Sequence, residues 1–166
     1  VALAQSFFAG IGLPVEDILK ASDLYPRPGK YQHAYCTDMD RTGDVRTMCN
    51  VIPSQEWMGT LLHELGHGVY SKYINRDLPF LLRNDAHSFL TEAIAELMGR
   101  QVSNADWLQA MMGIDNAEKE KYHATLSLNF RLSQLAFCRW TLVMEHFEQA
   151  LYANPDQDLD KLWWDL

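Results

Sequence analysis

Residues 60–71 read TLLHELGHGVYS, which sets His63, Glu64 and His67 in the order H-E-x-x-H. On an α-helix, residues four apart lie on one face, one turn above the other. His63 and His67 can therefore aim two imidazoles at one point. Neutral imidazole binds zinc at about 2.0–2.1 Å, and a catalytic zinc takes three protein ligands and leaves its fourth position to water. Glu64 follows the first histidine and precedes the second by three, which places it beside such a metal rather than on it. From there a carboxylate takes a proton from the zinc-bound water and later passes one to a leaving amine. This is the mechanism behind the pattern. The competing reading is a helix surface that carries two ordinary hydrogen-bonded histidines.

A two-histidine site needs a third ligand, and two histidines with a glutamate form one of the standard catalytic sets. The segment SFLTEAIAELMG at 88–99 supplies Glu92 and Glu96, four apart and so on a common helix face. Phe89, Ala93 and Leu97 lie on an overlapping side, so the pair is expected on a partly buried face. Carboxylates there are costly unless paired or bound to metal. Glu92 reads as the third ligand and Glu96 as the carboxylate that orients one ligand imidazole; two solvated glutamates are the alternative. Gly66 and Gly68 each cost ~1 kcal/mol relative to Ala inside a helix. Two so close to His67 suggest that another backbone, or a substrate, comes near.

The elements that must position these residues are mostly helices. Residues 1–11 read as helical, and Pro14 allows a short second helix over LPVEDILKAS. YPRPGK at 25–30 is a loop. Residues 31–52 form the one convincing β region, a hairpin about a Thr42-Gly43 turn carrying Tyr31, Tyr35, Val45 and Val51. That turn would set Cys36 opposite Cys49 at roughly disulfide distance; a bridge and two buried thiols are both open, according to compartment. Ser54 is the expected N-cap of the motif helix, with Glu56 in its first turn and its end near Ile74. A second helix starts near Ser88. From Ala117 to Ala153, Leu128, Leu132, Leu135, Val143, Phe147 and Leu151 recur at helical spacing until NPDQ ends the run. The expected class is mainly α, with one short hairpin beside the motif helix.

The chain has 166 residues and a formal charge of −8. That balance argues against a nucleic-acid partner, because phosphate binding depends on clustered Lys and Arg. No stretch approaches the ~18 uninterrupted apolar residues that a membrane span needs. VALAQSFFAGIGL lacks the basic start of a signal peptide, and KLWWDL stops on apolar residues that look like mid-helix. The expectation is one domain over 1–166, the central part of a larger catalytic domain. Compartment and oligomeric state are not legible. Cys138 is expected in a helical core. His33, His87, His123 and His146 read as surface or satisfied polar residues, with His87 the best functional candidate among them, and Trp107, Trp140, Trp163 and Trp164 as core or interface.

HELGH with a downstream TEAIAELM resembles the gluzincin metallopeptidases. DLPFLLRND between them resembles, more narrowly, peptidyl-dipeptidases of the angiotensin-converting-enzyme type. GKYQHAYC is also similar to the oligopeptidase F and thimet oligopeptidase branch. The resemblance runs over about residues 29–100 and more weakly over 117–166. It implies a largely helical fold with a deep channel and a short sheet beside the zinc helix. It implies one Zn2+ per chain on His63, His67 and Glu92, Glu64 as general base, Glu96 as an outer acidic group, and a peptide substrate. The strand His33–Thr37 matches the edge on which such enzymes pair extended substrate. Thr37 stands where the converting-enzyme group usually has histidine, and the strand-to-strand loop is shorter than usual. The family's downstream His and Tyr, which bind the oxyanion, have no match before Leu166, so exopeptidase and endopeptidase stay undivided.

The expected function is zinc-dependent hydrolysis of peptide bonds. The alternative is a non-catalytic zinc- or peptide-binding helical fragment, in which Cys36 or His87 would close the metal's fourth position. A helical interaction module with a chance motif would hold no metal at all.

Overall fold

A computed structural model describes all residues, 1–166. In chain order the elements are α1 (Ala2–Gly10), α2 (Glu16–Ala21), β1 (Tyr35–Asp38), β2 (Val45–Met48), α3 (Gln55–Lys72), α4 (Ser88–Gly99), α5 (Ala105–Met112), α6 (Asn116–Ala153) and α7 (Leu159–Asp165), with short 3₁₀ turns at Phe80–Leu82 and Arg100–Ser103. The class is mainly α with one hairpin, as the sequence predicts. No helix is long and apolar enough to cross a membrane.

Side-chain caps set most of the helix starts. Ser54 accepts from the Trp57 N–H at 3.1 Å and opens α3, with Glu56 in the first turn and Lys72 in the last. His87 opens α4 by accepting from the Phe89 N–H through Nδ1 at 3.0 Å. The helical look of KLWWDL holds in α7, whereas α5 carries no expectation from the sequence. Both carry caps: Asn104 accepts from the Asp106 N–H at 2.9 Å, and Asp158 accepts from the Lys161 N–H at 3.0 Å.

The chain forms two compact units, Val1–Lys119 and Glu120–Leu166. The first has its core along α3, where Leu61, Leu62, Leu65 and Val69 are buried together with Phe8, Val15, Ile18 and Cys49. Trp107 closes this core with its ring edge-to-face on Phe7, centroids 5.6 Å apart. In the second unit, Phe147 meets Trp163 edge-to-face at 5.5 Å, and Gln157 donates to the Ala150 and Asn154 carbonyls, both at 2.7 Å. No residue of α6 is buried. Cys138, expected in a core, is exposed on it, as are Trp140 and, on α7, Trp163 and Trp164.

The hairpin departs from expectation in register. β1 and β2 pair antiparallel with Cys36 opposite Thr47, and Cys49 lies beyond the end of β2. The cause is the connection, which runs from Met39 to Asp44 and is wider than a two-residue turn. Asp40 accepts from the Thr42 N–H at 2.8 Å and hydroxyl at 2.6 Å, while Arg41 takes a left-handed φ of 58° and Gly43 one of 113°. The two cysteines are therefore not cross-strand partners, and both thiols are free.

Asp23 covers the outer edge of β2: its N–H donates to the Thr47 carbonyl at 3.1 Å, and its carbonyl accepts from the Cys49 N–H at 2.9 Å. Lys30 locks this arrangement. Its buried ammonium reaches the Asp23 carboxylate at 2.9 Å and the carbonyls of Asp23, Tyr25 and Cys49. Lys30→Met should strand those carbonyls and cost about 3 kcal/mol of stability. A urea midpoint equal to wild type would show that water replaces the ammonium.

Candidate metal centre

The site rests on the crossing of α3 and α4. A Cβ built on Gly66 would lie 2.7 Å from the Ala95 Cα, so the two helix backbones are in contact there. Near the other end of the crossing, a Cβ on Gly99 would lie 3.2 Å from both the Gly59 carbonyl oxygen and the His63 Cβ. Ala95 is fully buried. The approaching backbone suggested by Gly66 is thus that of α4. Gly68 faces a different neighbour, the Ile18 side chain, at 3.2 Å from where its Cβ would stand.

This approach sets Glu92 over the two histidines. His63 Nε2 and His67 Nε2 are 3.1 Å apart, and the Glu92 oxygens lie 3.5 Å from the first and 3.6 Å from the second. A tetrahedron with ligands at about 2.0–2.1 Å from its centre has edges of about 3.3–3.4 Å. The two imidazole nitrogens stand close to that edge length, and Glu92 presents a different oxygen to each histidine. One ligand atom from each of the three residues lies within 4.8 Å of the others, a group whose chemistry suits zinc. Burial and then the neighbouring His63 hold the His67 pKa below its ordinary value, which favours the neutral ring a metal requires.

The face of α4 that carries the glutamates is more open than the sequence suggests. Ala95 is its one buried residue, while Glu92, Phe89 and Leu97 are exposed. The pattern of apolar neighbours was sound as a helix signal, but those side chains have no core beneath them in this unit.

Behind the donor atoms stand two further contacts. Glu96 lies 3.5 Å from His63 Nδ1 and takes the Arg100 Nε–H at 3.1 Å on its other oxygen. Thr91 Oγ1 lies 2.8 Å from His67 Nδ1. Neither Thr91 nor Arg100 is marked by the sequence. Their roles depend on how the helices cross, which no local spacing records.

Glu64 is 6% exposed. Its carboxyl is pushed up to about 7, by burial first and by the negative Glu92 second. Cys36 is pushed up to about 12, chiefly by burial and then by Glu64, so its thiol is a poor nucleophile. His87 is spent on the α4 cap, and His33 lies against the Tyr31 ring at 5.6 Å. His123 and His146 are on α6. The group of possible metal ligands in contact comprises His63, His67 and Glu92.

A helix bearing H-E-x-x-H, crossed by a second helix that brings a glutamate to both histidines, is the arrangement of the gluzincin metallopeptidases. Residues 2–166 match the family model of angiotensin-converting enzyme, and the chain belongs to that family of zinc-dependent peptidases.

The crossing makes a differential prediction. Each Gly→Ala change on α3 gains ~1 kcal/mol of helix propensity. At Gly68 the neighbour is the end of a flexible side chain, so Gly68→Ala should come out near neutral. At Gly66 it is backbone, so Gly66→Ala should lose about 1–3 kcal/mol from overpacking. Denaturant unfolding of the two variants side by side would test this, and the reverse order would mean that the helices are not in contact at Gly66.

Proposed function

We propose that this chain carries the zinc site and general base of a peptidase. One Zn2+ sits on His63, His67 and Glu92, and Glu64 acts as the base in hydrolysis of peptide bonds. The observation that carries this reading is the meeting of His63, His67 and Glu92, whose ligand atoms lie within 4.8 Å of one another, with the two Nε2 atoms 3.1 Å apart. Family membership supports the class of reaction. Cys36 and His87 stand outside the donor group, which favours a position left for water over a closed structural site.

When bound, zinc polarises the scissile carbonyl and lowers the pKa of water toward ~7. Glu64 takes one proton from the attacking water. Its carboxyl is buried, which keeps that proton from bulk solvent. As the C–O bond forms and the C–N bond breaks, Glu64 delivers the proton to the departing amine. Glu96, tied by Arg100, stands 3.5 Å from His63 Nδ1, where its charge favours a proton on that nitrogen and leaves Nε2 free as a donor atom. An extended peptide has one strand edge to pair with, that of β1, because Asp23 occupies the outer edge of β2. In this reading residues 1–166 are the central part of a larger catalytic domain, in keeping with the exposed apolar side chains along α4 and α6.

Elemental analysis should find about one zinc per chain, and a His63→Ala variant should lose it. Absence of zinc from the wild type after reconstitution would remove the site. Glu92→Ala should weaken zinc more than Glu96→Ala, which should cost about 10–100-fold; the opposite order in a metal titration would exchange their roles. Glu64→Gln should keep zinc and abolish peptide hydrolysis, and retained turnover would exclude Glu64 as the base.

A further inference from the structure

We propose that Thr91 is a positioning residue for His67, holding the back of that imidazole so that its front nitrogen stays available to the metal. The proposal rests on the zinc reading above. A neutral imidazole has one N–H and one bare nitrogen, and only the bare one binds a metal. For His67 the nitrogen that faces His63 and Glu92 is Nε2, so the proton must sit on Nδ1 when a metal is held. Thr91 Oγ1, 2.8 Å from Nδ1, is the atom that accepts it.

The two histidines are oriented by different chemistry. Behind His63 stands Glu96, whose ionised carboxylate can only accept. Behind His67 stands a hydroxyl, which can accept or donate. This difference matters because the two Nε2 atoms are 3.1 Å apart. If both carried bare lone pairs with nothing between them, they would repel. With Glu96 3.5 Å from His63 Nδ1 and favouring the proton there, the metal-free pair is satisfied when His67 Nε2–H donates to His63 Nε2 and the Thr91 hydroxyl donates to His67 Nδ1. With a metal held at Nε2, the His67 proton would sit on Nδ1 and the Thr91 hydroxyl would accept it. No proton is gained or lost, and the ring has a partner in both states. A carboxylate in place of Thr91 would serve only one of them.

Position favours the role. Thr91 precedes Glu92 directly, so α4 carries at adjacent residues the group proposed to ligate the metal and the group that steadies His67. A β-branched side chain has a restricted χ1, which fixes where the oxygen stands. Valine keeps that shape and removes the oxygen; serine keeps the oxygen and loses the methyl.

The test is zinc affinity by competition with a chromophoric chelator, combined with the visible spectrum of the Co2+-substituted chain and ¹⁵N shifts of the His67 ring. Thr91→Val should bind zinc about 10–100-fold more weakly and change the cobalt bands and the His67 tautomer. Thr91→Ser should restore all three. Equal affinity and an unchanged spectrum in Thr91→Val would overturn the proposal. So would an equal loss in Thr91→Ser, since packing rather than the hydroxyl would then be responsible. A wild-type chain that takes up no zinc would overturn the zinc reading itself and the positioning role with it.

Discussion

The contact between Gly66 and Ala95 is the constraint on which the candidate centre depends. Glutamate reaches only a few ångströms from its own backbone, so Glu92 can lie within 3.5–3.6 Å of two imidazoles on α3 only if α4 comes very close. Glycine at the crossing makes that approach possible, and Ala95 and Gly99 supply the small surface opposite. Metal ligation tolerates errors of only about 0.2 Å in ligand distance. A methyl group at Gly66 would demand a larger shift than that from backbone atoms packed on both sides. The helix propensity surrendered at Gly66 is thus offset by geometry that no larger residue permits.

Around that contact the charges are unevenly shared. Glu92 and Glu96 converge on two imidazoles, Glu64 feels the charge of Glu92, and Arg100 pairs with Glu96. The arrangement is uncomfortable for Glu64, which burial and Glu92 both push toward its neutral form. A divalent cation among these groups would reverse the local balance, since bound metal ions are often the largest charges in a site. The same carboxylate that raises Glu64 is the one positioned to hold that cation. Opposed tendencies of this kind mark functional sites more often than scaffolds.

How much of this was legible follows from which interactions are local. H-E-x-x-H and the cap at Ser54 are recorded within one helix turn, so their positions are read directly. Glu92 and Glu96 were reachable one step further, by asking what a two-histidine site lacks. The hairpin register was not legible, because the path of residues 39–44 turns on an Asp40 side chain and a left-handed Arg41 rather than on a two-residue signature. Thr91 and Arg100 carry no signal of their own, since both act across or beside a crossing whose angle the sequence does not state. The apolar spacing on α4 and α6 announced helices correctly but not what those faces would meet.

The free edge of β1 has a consequence for solubility. An unpaired strand edge invites other chains to add to it, and long, flat, apolar edges seed aggregates. Here the edge is four residues long, ends in Asp38, and has Thr37 beside it. It offers too few hydrogen bonds to template a growing sheet, yet enough to register one short extended segment. Because Asp23 caps the opposite side of the hairpin, a strand can add only on the β1 side. The hairpin is in effect a one-sided template.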